Sequence, residues 1–207
     1  VETLIIGAGS AGLAVARRLD HRGRAYLVVD KDAQVGRNWR NAYERLHLHT
    51  PRSRSGLPHQ PMPGDYPRYP SRLQMLAYLE SYARALKRPP QMNSEVLAVE
   101  RDGAHWSTQV GGERVRSRNI VVATGLARVP AIPHFEGEAN FDGPIVHSSR
   151  YRTGAAFRGK RVLVVGFGNS ASEIAIDLHE QGAKPTLAVR GPVNVIPREL
   201  FGIPIVQ

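Results

Sequence analysis

An α/β fold built around parallel strands is predicted for the 207 residues by two observations. A short, β-branched apolar run leads directly into a glycine-rich loop and then an Ala/Leu-rich helix, and this unit occurs twice, near the two ends of the chain. Thr3-Leu4-Ile5-Ile6 leads into Gly7-Ala8-Gly9-Ser10-Ala11-Gly12, and Arg161-Val162-Leu163-Val164-Val165 leads into Gly166-Phe167-Gly168-Asn169-Ser170-Ala171. In such a loop the first glycine makes the tight turn, the second lets backbone approach a pyrophosphate, and the third small residue lets helix pack on strand. The sequence therefore predicts two Rossmann-like dinucleotide-binding domains. Gly7, Gly9, Ser10 and Gly12 line one loop, and Gly166, Gly168, Asn169, Ser170 and Ala171 line the other.

Taken in order, the first helix is followed by Tyr26-Leu27-Val28-Val29, which ends at Asp30, an acid placed to accept from ribose hydroxyls. That end chemistry suits FAD or NAD. A polar, Pro-rich stretch then runs to Pro70. It holds too many aromatic residues for a disordered linker and is expected to wrap a ligand. Ser71-x-x-Gln74 reads as a capping box that opens a helix with Leu73, Leu76, Leu79, Ala83 and Leu86 on its apolar face. Residues 95–123 alternate apolar and polar around Asp102-Gly103 and Gly111-Gly112, the pattern of an antiparallel β-meander. The last run, Asn119 to Ala123, is apolar throughout and is expected to rejoin the parallel sheet. It ends in Ala123-Thr124-Gly125, a small backbone-exposing turn at the carboxyl end of a strand, where a doubly wound sheet holds its ligand.

The second unit has a helix opening on Asn169 with Ser170-x-x-Glu173, a Gly182 stop, and Leu187-Ala188-Val189 leading to Arg190. An arginine at that end suits a 2′-phosphate, hence NADP. The chain reaches only strand, helix and strand there, whereas a full mononucleotide half is a βαβαβ unit. The second domain is therefore expected to be incomplete in this chain, with an exposed apolar edge at 187–189 that needs a partner. Homo-oligomerisation is one way to cover it.

Composition narrows the function classes. Apolar residues make up 42% of the chain, enough for a sizeable core. No apolar run is long enough to span a membrane and no secretory segment is read, because Leu4-Ile5-Ile6 runs straight into the glycine loop. A soluble, cytoplasmic protein is expected. The absence of cysteine from these residues excludes disulfides, thiolate metal sites and a redox CxxC, and no metal site is expected. Net charge is +10, carried mostly by arginine. The arginines are scattered rather than gathered on one helix or interleaved with aromatics, so nucleic acid is not expected as a partner.

Phe141-x-Gly143-x-x-x-His147-Ser148-x-x-Tyr151, Ala123-Thr124-Gly125 and Gly36-x-x-Trp39, with Arg37 in place of a second glycine, resemble the identifying motif, the ATG turn and the flavin-contacting GGxW segment of the flavin-containing monooxygenases. The stretch Leu46-His47-Leu48-His49, the run Tyr66-Pro67-x-Tyr69-Pro70-Ser71 and the tail from Val193 to Gly202 are closest to plant YUCCA-type enzymes and their bacterial relatives. Baeyer–Villiger relatives usually carry Trp where Tyr151 stands.

The resemblance implies an amino-terminal portion of such an enzyme: an FAD-binding domain over 1–125 with its meander at about 95–123, an interdomain linker over 126–159, and a partial NADPH-binding domain over 160–207. It implies that NADPH reduces FAD. Reduced flavin then captures O2 as a C4a-(hydro)peroxyflavin and passes oxygen to a small organic substrate, by N or S oxidation or by oxidative decarboxylation of a 2-oxo acid. It also implies that Lys31 lies close to adenine, Trp39 lies near the ribityl chain or flavin, and Val96 meets adenine through its backbone. His49 occupies the slot where many members carry an Asn beside the flavin, which makes it the candidate catalytic hydrogen-bond donor. His147 is expected to brace the linker. The alternative of another class is a nucleotide-binding remnant that holds FAD without oxygenase turnover. The intact spacing of both loops and the linking motif favours the enzyme, completed by a carboxyl-terminal part.

Overall fold

β1 (Thr3–Ile6) is apolar after Thr3 and three of its four residues are buried, because it is the central strand of a parallel sheet. The computed structural model describes residues 1–126 and 129–205. The chain divides into two units, Val1–Arg40 with Thr50–Arg128, and Asn41–His49 with Val129–Gln207.

In the first unit β1 passes through the loop into α1 (Ser10–His21) and returns as β2 (Tyr26–Val29). The short helices α2 (Arg37–Arg40) and α3 (Arg52–Ser55) punctuate the Pro-rich stretch before α4 (Arg72–Arg84). The meander follows as β3 (Val96–Asp102), β4 (His105–Val110) and β5 (Glu113–Ser117), and β6 (Asn119–Val122) closes the parallel sheet in the order β2-β1-β6. Leu4, Val29 and Val110 form a buried cluster with Ile6, Leu27, Val96, Val115 and Ile120 packed around it, so one face of the meander lies on the parallel sheet.

The Ser71–Gln74 capping box is present, with both reciprocal hydrogen bonds. The apolar face of α4 differs from expectation at one end. Leu73 is 61% exposed, while Tyr78 and Tyr82 are fully buried beside Leu76, Leu79 and Ala83. Tyrosine can occupy that face because each hydroxyl finds a backbone partner. Tyr78 Oη donates to Gln60 O at 2.6 Å and accepts from Leu57 N at 2.7 Å, and Tyr82 Oη donates to Pro58 O at 2.8 Å. Burial pushes both phenols up, Tyr82 to about 12, so both stay neutral donors. These bonds order the Pro-rich stretch from below.

The second unit contains β7 (Arg161–Val165), α5 (Asn169–Glu180) and β8 (Lys184–Ala188), a parallel pair with its crossover helix, then a short hairpin of β9 (Glu199–Leu200) and β10 (Ile203–Pro204). The hairpin turns through Phe201 and Gly202, both at positive φ. The core of the second unit is Tyr43, Tyr151, Ile174, Leu178 and Ala183, with Val162 and Val164 from one face of β7. Leu163 and Val165 on the other face are exposed. β8 begins at Lys184 and ends at Ala188, a register shifted toward the amino terminus from the 187–189 run.

Replacing Leu79 by Ala should lower stability by about 2–5 kcal/mol in denaturant unfolding, whereas Leu73→Ala should stay within about 0.5 kcal/mol. Equal effects would contradict the assignment of the buried face.

Candidate functional site

The two glycine loops share one backbone conformation. Gly7 and Gly166 both sit at φ +111°, a region open to glycine and costly for other residues. Each donates its N–H to the end of the following strand at 2.8 Å, Gly7 to Val29 O and Gly166 to Ala188 O. Gly9 and Gly168 are the N-caps of α1 and α5, both extended, with no side-chain cap and no acid in the first turn. The expected Ser170-x-x-Glu173 cap is therefore absent. Backbone alone presents the orphan N–H groups of both twelve-residue helices, as an anionic phosphate requires.

The empty sides of the loops fit a dinucleotide. A Cβ at Gly9 or Gly168 would meet no protein atom within 4 Å. Gly12 is a glycine for a different reason, since a Cβ there would lie 1.9 Å from Gly7 O. Gly7 is likewise packed, a Cβ falling 2.4 Å from Ala123 O, so the Ala123-Thr124-Gly125 turn rests directly on the first loop. Ala123 N also donates to Ile6 O at 2.8 Å.

The strand ends differ in charge. Asp30 is bound to the loop itself, its Oδ2 accepting from Ala8 N at 2.6 Å and its Oδ1 from Asp32 N at 3.0 Å. Each oxygen retains a lone pair for a further donor. Asp30 N and O also bond Gln91 O and Ser94 N, which carries the chain alongside β2 toward Val96. Lys31 Nζ lies 4.0 Å from Glu95 Oε1. In the second loop the matching bond to Ala188 makes Val189 the counterpart of Asp30 and exposed Arg190 the counterpart of Lys31. The second strand end thus has no acid to repel a phosphate.

Trp39 lies on α2, half-buried, after Gly36 at φ +78°. Arg72 fixes this turn by donating to Trp39 O at 3.3 Å and Arg40 O at 3.0 Å.

His49 belongs to the second unit, with the segment Asn41–His49. Its Nε2 lies 3.8 Å from Oε1 of Glu173, a residue of α5. Sequence reading missed the cluster around it. Arg45 donates Nη1 to Glu173 Oε2 at 2.6 Å and uses Nε and Nη2 on Glu180 at 2.7 and 2.9 Å. These carboxylates hold the Arg45 charge more firmly, Glu180 first, and Arg45 in turn holds the Glu180 carboxyl below its ordinary range. Burial, with Glu173 adding, pushes the Tyr43 phenol up to about 12. A signal existed: Glu173 and Asp177 are four apart on the same stripe as Ile174 and Leu178, where a purely apolar face would be expected.

The linking motif forms a clasp. Buried Tyr151 donates to Asp177 Oδ2 at 2.5 Å, and the same oxygen accepts from Gly154 N at 2.8 Å. Burial and this carboxylate raise the Tyr151 pKa, so the phenol keeps its proton. His147 Nδ1 accepts from Ser149 N at 3.2 Å, capping the turn Ser148–Arg150. Among the described residues no group of acids, histidines or cysteines is arranged to hold a metal, and no helix is long and apolar enough to cross a membrane.

Residues 4–197 match the family model described as pyridine nucleotide-disulphide oxidoreductase. An indole-3-pyruvate monooxygenase of rice, YUCCA1 of Oryza sativa subsp. japonica, is 43% identical over 204 residues, which are 97% of this chain and 50% of that protein. The flavin-containing monooxygenase of Stenotrophomonas maltophilia superposes with a TM-score of 0.86 at 31% identity, covering 93% of this chain and 58% of that one. A structure of OTEMO in complex with FAD and NADP superposes at 0.74 with 26% identity, covering 93% and 39%. The chain spans about half the length of the curated relatives it matches.

Two outcomes follow from this geometry. Gly12→Ala should destabilise the first unit in thermal melting, because Gly7 O cannot make room, whereas Gly9→Ala should leave the melting temperature unchanged. The lowered Glu180 pKa gives stability that is present above the unfolded carboxyl value of about 4.3 and lost as pH falls through the folded value. Glu180→Gln should remove that acid-limb loss from melts of the second unit. The amount is small, since half of the side chain is in water.

Proposed function

The chain belongs to the pyridine nucleotide-disulphide oxidoreductase family, with flavin monooxygenases as its relatives, and we propose that it supplies the FAD and NADPH sites of a flavin-dependent monooxygenase. The observation that carries this reading is the pair of loops with one backbone and opposite strand-end chemistry, Asp30 after the first and Val189-Arg190 after the second.

In this reading Gly7, Gly9, Ser10 and Gly12 hold the FAD pyrophosphate against the amino end of α1, and Asp30 accepts from the adenosine ribose. Lys31 and Val96 border adenine, Trp39 the ribityl chain or flavin, and the Ala123-Thr124-Gly125 turn closes that side. Gly166, Gly168, Asn169, Ser170 and Ala171 hold the NADPH pyrophosphate, and Arg190 takes the 2′-phosphate. His49 donates a hydrogen bond at the flavin. FAD, once bound, supplies the hydride acceptance and oxygen activation that no side chain offers. The protein's share is to bind, orient and exclude water. Despite the family's description, thiol chemistry is not available to these residues, which contain no cysteine. The identity to an indole-3-pyruvate monooxygenase favours oxidative decarboxylation of a 2-oxo acid over heteroatom oxidation. The partners are that small substrate and O2, and the expected compartment is the cytoplasm.

Anaerobic NADPH should bleach the visible flavin band of the FAD-loaded protein, and air with a 2-oxo acid should restore it with release of CO2. Flavin that binds but is not reduced by NADPH would point instead to a nucleotide-binding remnant. Arg190→Ala should raise the KM for NADPH by about 10–100-fold, the loss of a charge-assisted phosphate contact, and leave the KM for NADH unchanged.

A further inference from the structure

Glu173 is a buried acid with no part in the reading above. Only 7% of its side chain is exposed, and it sits in α5 just after the helix leaves the second loop. Its two oxygens are divided among groups far apart in sequence. Oε2 takes Arg45 Nη1 at 2.6 Å, while Oε1 faces His49 Nε2 at 3.8 Å and Arg198 Nη2 at 3.7 Å. A carboxylate so covered is stable only while its cations stay in place, and the cations gain a fixed position in return.

The segment that carries His49 is held at both ends by the second unit. At 42–44, Tyr43 packs beside Tyr151 and Leu178, Glu44 N donates to Arg152 O at 2.9 Å, and Arg152 Nη1 donates to Ala42 O at 3.3 Å. At 45–49, Leu46 joins the same cluster, and Arg45 is bound to the carboxylates of α5. Glu180 is the outer of the two acids, with 51% of its side chain exposed, and it does not reach the imidazole within salt-bridge range.

We propose that Glu173 is a positioning residue: by gathering Arg45, His49 and Arg198 its carboxylate sets the place of His49 on α5, the helix that opens on the second dinucleotide loop. Its consequence for catalysis rests on the reading of His49 as the donor at the flavin, whereas the placement rests on geometry alone. Glutamine is nearly isosteric and keeps one acceptor, but without the charge it cannot hold two guanidinium groups and the imidazole together.

Hydrogen exchange of the purified protein, with and without FAD, tests the placement. Glu173→Gln should speed exchange across 45–49 by about tenfold while strands β7 and β8 keep their protection, and Glu180→Gln should change it by less than about threefold. Glu173→Asp, which restores the charge, should recover part of the protection. If Glu173→Gln does not fold, Arg45→Lys serves instead, since an ammonium cannot bridge both acids, and the same loosening is expected. Exchange at 45–49 within about twofold of the parent, or equal loosening by Glu180→Gln, would overturn the proposal. In the FAD-loaded protein the reduction rate at saturating NADPH should fall with KM nearly unchanged. A loosened segment with an unaltered reduction rate would support the placement and remove His49 from the chemistry. A parent protein that takes up no flavin would sink the monooxygenase reading and leave the exchange comparison standing.

Discussion

Both glycine loops depend on one backbone constraint, a residue at φ +111° directly after the first strand of each unit. Only glycine reaches that conformation without strain, and once it is reached the loop N–H points back at the neighbouring strand end. The helix then starts with its first N–H groups unclaimed by any side chain. The order of causes runs from a missing Cβ, to a sharp turn, to a row of unspent donors, to a place for phosphate. The remaining glycines serve that turn: Gly12 clears Gly7 O, while Gly9 and Gly168 each leave open space where a Cβ would stand.

The second unit is organised by charge to a degree the first is not. On α5 three acids, Glu173, Asp177 and Glu180, share or border the apolar stripe, and each is matched from outside the helix. Arg45 meets Glu173 and Glu180, while Tyr151 and the Gly154 amide meet Asp177. Because no partner lies on the helix itself, the matching gathers segments 23 to 135 positions away. It accounts for the membership of Asn41–His49 in the second unit, and for the burial of the tyrosine that closes the linking motif.

Much of the fold was legible in the sequence, because its signals are local. Strand, glycine loop and helix follow each other within twenty residues, and the Ser71 capping box and the meander turns are fixed by neighbours. What escaped was set by distant partners. Leu73 obeys the helical period yet faces solvent, while Tyr78 and Tyr82 are buried through bonds to Gln60 and Pro58 that no periodicity encodes. Glu173 reads as a helix-capping acid in sequence and becomes a buried counter-ion in the structure, since its cation lies 128 positions away. Asp30 was legible as a strand-end acid, but its prior tie to the Ala8 amide was not.

In the proposed reading, two separate dinucleotide sites share one chain. Equilibrium dialysis of the purified protein against FAD and NADP⁺, alone and together, tests it most directly. About one of each should bind per chain, with neither displacing the other, as two independent helix amino termini require. Displacement of FAD by NADP⁺, or a single shared stoichiometry, would contradict it.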